Sequence, residues 1–196
     1  LGYDNSGPRV GPVIISEVMY NVPDPDGVGG VDPFDLEFIE LYNPTLSEIP
    51  LAEFTDNPHG GPQYFADWRL RGGADMEFDP GTTIGPQGML VILSFDPAAP
   101  VNASRVTDFR SFYGIGVEVP LTGGYRGVLN NAGDRITLQR PDSPPALEPD
   151  YVPHLFEDQV NYDDLAPWAT SADGGGDSLQ RTPITSWGDD SASWIA

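Results

Sequence analysis

Apolar and polar residues alternate along many short stretches of this chain, and glycine, proline or asparagine bounds most of them. A period of two is typical of half-buried β-strands, and frequent turn residues are typical of all-β domains. The pattern predicts strands at 13–21, 36–43, 49–51, 68–70, 76–78, 82–84, 89–95, 135–140, 159–163 and 177–180. We therefore expect an antiparallel sandwich or barrel.

One short helix is predicted over residues 104–113. Ser104 can cap its first turn, Phe109 and Phe112 lie at helical spacing, and Gly114 can end it. Several long amphipathic helices would be needed for an α/β fold, and the pattern shows none of them.

The 196 residues suit a single enlarged domain. Residues 1–12 are rich in glycine and proline and are predicted to be a linker. Residues 13–182 are predicted to form the domain, and residues 183–196 a tail that packs on the domain or leaves it.

The chain has no cysteine, which excludes disulfides and thiolate metal sites. Its longest apolar runs are only strand-sized, so no membrane insertion is expected.

The charge of the chain is strongly negative, with 30 acidic and 9 basic residues and a formal net charge of -21. Such a surface repels phosphate backbones, so nucleic acid is not an expected partner. It attracts cations, and hard divalent ions above all. Solubility alone is the other explanation of this acidity, and the sequence leaves both open.

Several motifs occur in an order that resembles one known family. They are VIISEVMYN at 13–21, EFIELYNP at 37–44, WRL at 68–70, FDPGTTI and PQGMLVI within 78–92, LNNAGDRITL at 129–138, VNY at 160–162 and ADGGGDSLQR at 172–181. Together they resemble the lamin-tail domain, an immunoglobulin-like module that is also found in bacterial exported proteins. Enlarged loops at 22–35, 52–67 and 141–157 depart from the family pattern.

The resemblance implies the fold and the setting of this chain. It implies an all-β, immunoglobulin-like antiparallel β-sandwich, to which the sequence pattern adds one short helix and enlarged loops. It also implies an extracellular or cell-surface module of a larger bacterial protein, with any targeting segment removed from this chain.

Carboxylates crowd the first long loop and the strands beside it. Calcium takes six to eight oxygen ligands, typically several carboxylates with backbone carbonyls and water. The residues predicted as its ligands are Glu17, Asp24, Asp26, Asp32, Asp35 and Glu37. The loop lacks a complete EF-hand spacing, and a solvated acidic loop is the alternative.

The period of two leaves the direction of the glutamates open. Glu17 shares a strand face with Ile15, and Glu37 shares one with Ile39, whereas Glu40 lies on the face opposite Glu37. A glutamate on an inward face must be paired, protonated or bound to a metal. Two inward glutamates on neighbouring strands would form a site.

The expected function is that of a non-catalytic binding or scaffolding module. We expect a monomer that recognises a protein or a surface through its rim loops. A hydrolase has little support, because His59 and His154 are the only histidines and no G-x-S-x-G motif is present.

The alternative is a carbohydrate-binding module accessory to a hydrolase, with calcium and aromatic residues recognising a polysaccharide. Its aromatic candidates are Trp68, Trp168, Trp187 and Trp194. The competing interpretation is that these four side chains pack the domain.

Overall fold

The computed structural model describes residues 10–23 and 31–196. Strands and short turns make up most of this part of the chain. Its strands are β1 Ile14–Met19, β2 Phe38–Tyr42, β3 Ile49–Pro50, β4 Ala52–Thr55, β5 Tyr64–Asp67, β6 Arg69–Gly72, β7 Met76–Glu77, β8 Thr83–Ile84, β9 Met89–Leu93, β10 Leu121–Gly123, β11 Asp134–Pro141, β12 His154–Tyr162, β13 Leu179–Arg181 and β14 Trp194–Ile195.

Two sheets form the sandwich. One has six strands in the order β10-β9-β2-β1-β13-β14, and the other has four in the order β12-β11-β6-β7. Two small pairs, β3-β8 and β4-β5, complete it. Every neighbouring pair in the described residues is antiparallel except β9 and β10, which are parallel. The predicted fold class, an immunoglobulin-like β-sandwich with one short helix, is therefore confirmed.

The main core lies between the two sheets. Ile39 and Leu41 enter it from β2, Leu70 from β6, and Ile136 and Leu138 from β11, all with no exposed surface. Burying an aliphatic side chain of this size stabilises the folded state by about 1.5–3 kcal/mol. A chain without disulfides can hold its fold through a core of this kind.

A β-bulge interrupts the alternation in β1. Ile15 pairs with Leu41 and Glu17 with Glu40, so Ser16 is the extra residue. Odd-numbered residues of β1 therefore face the main core before the bulge, and even-numbered residues face it after the bulge. Ile15 and Val18 both lie in the main core, whereas Glu17 points to the outer side of the six-stranded sheet. The prediction that Glu17 shares a face with Ile15 is wrong for this reason.

The one α-helix of the described residues, α1, spans Ala103–Tyr113. It follows a 3₁₀ turn, Pro100–Asn102, whose backbone accepts the Ala103 N–H through the Pro100 carbonyl. Asn102 precedes the helix and makes no side-chain cap, so the predicted cap at Ser104 is wrong. Gly114, with φ of 64°, ends the helix as predicted.

A second apolar cluster fills the space between α1 and the outer side of the six-stranded sheet. Phe109 of α1 meets Phe38 of β2 edge to face, with ring centroids 6.0 Å apart. Val91 and Leu93 of β9 and Met19 of β1 complete the contact from the sheet. The helix therefore covers one part of this face and leaves the rest open.

Several segments differ from the pattern-based expectation. The segment 52–67 contains the hairpin of β4 and β5, and β12 begins at His154, earlier than predicted. The tail returns to the domain, because Trp194 in β14 pairs with Arg181 in β13. Residues 1–9 of the predicted linker lie outside the described residues.

Candidate functional site

Two of the predicted calcium ligands are engaged near the start of β2. Asp32 is exposed and caps the 3₁₀ turn Pro33–Leu36, where its Oδ1 accepts the Phe34 N–H at 3.1 Å. Asp35 holds α1 through Arg105, whose Nε donates to Asp35 Oδ2 at 2.6 Å. The same guanidinium lies 4.0 Å above the ring of Phe95. These contacts fix the turn and the helix on the sheet.

The other two described candidates point to opposite sides of the six-stranded sheet. Glu17 faces outward, where its Oε1 accepts the Ser178 hydroxyl. Glu37 is buried near Tyr125 and Tyr162 of the main core, and Asp24 and Asp26 lie outside the described residues. Across residues 10–23 and 31–196, no group of three or more histidines and carboxylates is arranged to hold a metal ion. The calcium site stays a prediction.

Glu37 is buried within electrostatic reach of Tyr125 and Tyr162, two residues of the main core. Its Oε2 and the hydroxyls of Tyr20, Tyr125 and Tyr162 have no hydrogen-bond partner among the described residues. The rings of Tyr20 and Tyr162 stack with centroids 4.5 Å apart. Burial, with a smaller contribution from Asp32, raises the pKa of Glu37 to about 8. Glu37 is therefore mainly a neutral carboxylic acid at pH 7.

The open part of the outer sheet face contains a groove, which we call the outer groove. Its two adjoining cavities, of about 190 and 420 Å³, share Glu17, Glu40 and Met89. Its remaining lining residues are Phe38, Val91, Phe109, Tyr113, Ile115 and Val119 in the smaller cavity, and Ser16, Tyr42, Gln180, Arg181 and Ile184 in the larger. One end of the groove is thus apolar, and two carboxylates lie where its cavities meet.

The local sequence explains how these side chains reach the groove. Ile39 and Leu41 point into the core, so alternation places Glu40 between them on the outer side. The bulge at Ser16 turns Glu17 to the same side. α1 closes one wall with Phe109 and leaves Met89 42% exposed. Alternation predicted that Glu40 and Glu37 lie on opposite faces of one strand, but it did not predict the bulge in β1.

A second cleft, of about 660 Å³, lies beside the start of the described chain. Its buried carboxylate is half engaged, since Glu157 Oε2 accepts Arg140 Nε at 2.9 Å, whereas Oε1 lies under Gly11 without a hydrogen-bond partner among the described residues. Phe156 is 47% exposed and packs against Trp187, with ring centroids 5.7 Å apart. The cleft thus lies at an edge of the sandwich that an ion pair and an aromatic contact support.

The remaining candidates have mainly structural surroundings. Trp68, Trp168 and Trp194 belong to the main core, which confirms the packing interpretation for these three. His59 is exposed in the segment between β4 and β5. His154 lies in β12, with its side chain 8% exposed and its Nε2 2.8 Å from the Asp67 carbonyl oxygen. None of the helices in the described ranges is long and apolar enough to cross a membrane.

Comparison of the chain with protein-family models, curated proteins and solved structures gave no significant match. The resemblance to the lamin-tail domain therefore stays a prediction, and the outer groove has to be interpreted from its own geometry.

Proposed function

We propose that this chain is a non-catalytic recognition module of an exported or cell-surface protein, and that it binds a protein ligand in the outer groove. The observation that carries this proposal is the apolar wall of the groove on a face that is open to solvent. Its accessible apolar surface comes from Met89, which is 42% exposed, and from half-buried Tyr113 of α1, while Phe38 and Val91 lie beneath them and are at most 7% exposed. This proposal places the recognition surface on a sheet face, whereas the sequence predicted the rim loops.

Physical chemistry favours a peptide segment as the ligand of such a groove. The solvated face of an antiparallel sandwich normally carries polar side chains, so an apolar groove there has a hydration cost that a ligand removes. Aromatic residues and methionine are enriched at protein interfaces, and methionine adapts its shape to different partners.

The same structure argues against the polysaccharide alternative. Sugar sites need an accessible aromatic face, and three of the four candidates, Trp68, Trp168 and Trp194, are at most 9% exposed. The fourth, Trp187, is half-buried and packs against Phe156. The formal net charge of -21 also disfavours nucleic acid as a ligand of the groove.

A displayed library of random peptides tests the proposal. Peptides selected on the purified chain are titrated against the Met89→Arg variant, in which a bulky charged side chain enters the groove. Leu147→Arg is the matched control, because Leu147 is 95% exposed in the loop before β12. We expect Met89→Arg to weaken binding by at least about tenfold and Leu147→Arg to leave it unchanged.

Two results would overturn the proposed function. One is a library that yields no peptide whose binding responds to Met89→Arg. The other is turnover of glycoside, ester or phosphodiester substrates by the purified chain, which would contradict its non-catalytic part.

A further inference from the structure

A row of side chains crosses the outer groove over four adjacent strands. Glu40 in β2 lies directly opposite Glu17 in β1, and on its other side opposite Val91 in β9. Glu17 lies opposite Gln180 in β13. Like charges placed directly opposite each other across antiparallel strands destabilise the sheet. The middle of the groove therefore carries an unfavourable pair of carboxylates.

Neutral groups hold both carboxylates in place. The Ser16 hydroxyl donates to Glu40 Oε1 at 2.7 Å. The Ser178 hydroxyl donates to Glu17 Oε1, and Gln180 Nε2 lies 3.5 Å from the same oxygen. No described arginine or histidine forms an ion pair with either carboxylate. The hydrogen bonds fix the positions of the two groups and leave their repulsion uncompensated.

The electrostatic state of Glu40 agrees with this geometry. Burial raises the pKa of Glu40, the Ser16 hydrogen bond lowers it, and the charge of Glu17 raises it. A partly desolvated carboxylate beside a second one gains more from an approaching cation than a carboxylate that is fully in water.

The chain itself has few positively charged side chains that could neutralise this pair of carboxylates. It contains no lysine, so its nine basic residues are all arginines. The arginines on the elements that border the groove are already engaged. Arg110 of α1 donates to the Gly116 and Val119 carbonyls, and Arg181 donates to Asp158 and to the Ser186 carbonyl. Moving either guanidinium to the glutamates would break these contacts.

We propose that the ligand of the outer groove places one lysine or arginine side chain between Glu17 and Glu40. This inference rests on the proposed function, and it names the partner as a protein segment with one basic residue among apolar neighbours. The alkyl stem of the basic residue packs along Met89 and Tyr113, and its charged end meets the two carboxylates. Charge-assisted hydrogen bonds of this kind are about twice as strong as neutral ones.

The test uses the peptides that Met89→Arg identifies as groove ligands. Their basic residue is replaced by norleucine, which keeps the alkyl stem and removes the charge. Separately, the protein is changed to Glu17→Gln/Glu40→Gln, which keeps the oxygens that accept from Ser16 and Ser178. The matched control is Glu48→Gln/Glu148→Gln, which alters net charge equally at two exposed positions outside the groove.

We expect the groove ligands to contain lysine or arginine. Norleucine and the groove double variant should each reduce affinity by at least about tenfold, and together they should reduce it little further, because both remove the same interaction. The control double variant should change affinity less than about twofold, since exposed distant charges are screened.

Failure of this inference is distinguishable from failure of the proposed function. Some peptides could respond to Met89→Arg but lack a basic residue, or bind Glu17→Gln/Glu40→Gln with unchanged affinity. Either result would contradict the proposed basic side chain of the ligand and leave the groove as a binding site. Affinity lost equally in both double variants would mean that only net charge acts, and would likewise overturn it. An absence of peptides that respond to Met89→Arg would remove both proposals.

Discussion

Arg181 and Asp158 form an ion pair that joins the two sheets inside the sandwich. Arg181 lies in β13 of the six-stranded sheet and Asp158 in β12 of the four-stranded sheet, and their side chains are 0% and 2% exposed. Asp158 Oδ2 also accepts the Ile15 N–H at 2.8 Å, and Arg181 donates to the Ile15 and Ser186 carbonyls. The pair thus connects β1, β12, β13 and the C-terminal tail.

Removing one member of this pair should destabilise the fold strongly. Arg181→Met leaves a buried carboxylate without its cation, and we expect a loss of about 3–5 kcal/mol in the free energy of unfolding, measured by urea titration. Arg71→Met is the control, because Arg71 pairs with Glu77 at the surface and should cost less than about 1 kcal/mol. Equal losses in the two variants would contradict the structural role of Arg181.

Glu37 should make the stability of the domain depend on pH. Its folded pKa of about 8 lies above the ordinary value of 4.5, so the folded state holds this proton more tightly than the unfolded state. The stabilising contribution is complete below pH 4.5, decreases as pH rises towards 8, and is lost above it.

The variant Glu37→Gln isolates this contribution, because a glutamine does not titrate. The variant should gain stability relative to the parent chain by up to about 1.4 kcal/mol for each pH unit between 4.5 and 8, with no further change above that range. Urea titrations of both proteins at a series of pH values measure the difference. A difference that stays constant across this range would mean that Glu37 titrates normally.

Gly72 should tolerate no side chain at the end of β6. Its φ is 109°, and a Cβ there would overlap the backbone carbonyl of Arg135 on β11. We expect Gly72→Ala to lower the free energy of unfolding by more than about 2 kcal/mol, because strain and overlap add.

Alanine variants of two other glycines separate the cost of backbone strain from the cost of steric overlap. Gly81 also has a positive φ, of 86°, but open space around it, so Gly81→Ala should show the cost of backbone strain alone, about 1–2 kcal/mol. Gly85 has neither feature, and its alanine variant should be as stable as the parent chain. Thermal unfolding of the three variants ranks them, and a small loss for Gly72→Ala would contradict the close approach to Arg135.

The predicted calcium site can be tested by calorimetry on chelator-treated protein. The carboxylates of its first loop should hold the ion, so we expect Asp24→Asn/Asp26→Asn to abolish stoichiometric binding. Glu148→Gln should leave binding unchanged, because Glu148 is exposed and is not one of the predicted ligands. Binding that is weak, unsaturable and equal for magnesium would mean that the acidic loop is only solvated.

Local sequence patterns predicted most elements of this fold. Alternation located β1, β2 and β11, and a short apolar run located β9, which buries one face in the main core and the other under α1. Gly114 marked the end of α1, because a left-handed φ favours glycine there. The hairpin of β4 and β5 was missed, since Phe54 is 65% exposed and the segment carries no buried alternating face.

The candidate site was less predictable than the fold. Glu17 and Glu37 were singled out for their carboxylates, yet the structure places them on opposite sides of one sheet. Glu40 and Met89 were not chosen, because a lone glutamate or methionine in a strand has no distinguishing local pattern. Their position in the groove depends on α1, which comes later in the chain and covers only part of the face.

The sequence by itself determined the class of fold, the approximate strands, the single helix and the strongly acidic charge. These properties follow from local periodicity and composition, which act over a few residues at a time. Tertiary structure alone decided that Ser16 bulges, that Glu17 then lies opposite Glu40, and that Glu37 is buried near Tyr125 and Tyr162. The physical reason is that strand register and burial arise from contacts between residues far apart in the chain, and a one-residue shift reverses the direction of every side chain that follows.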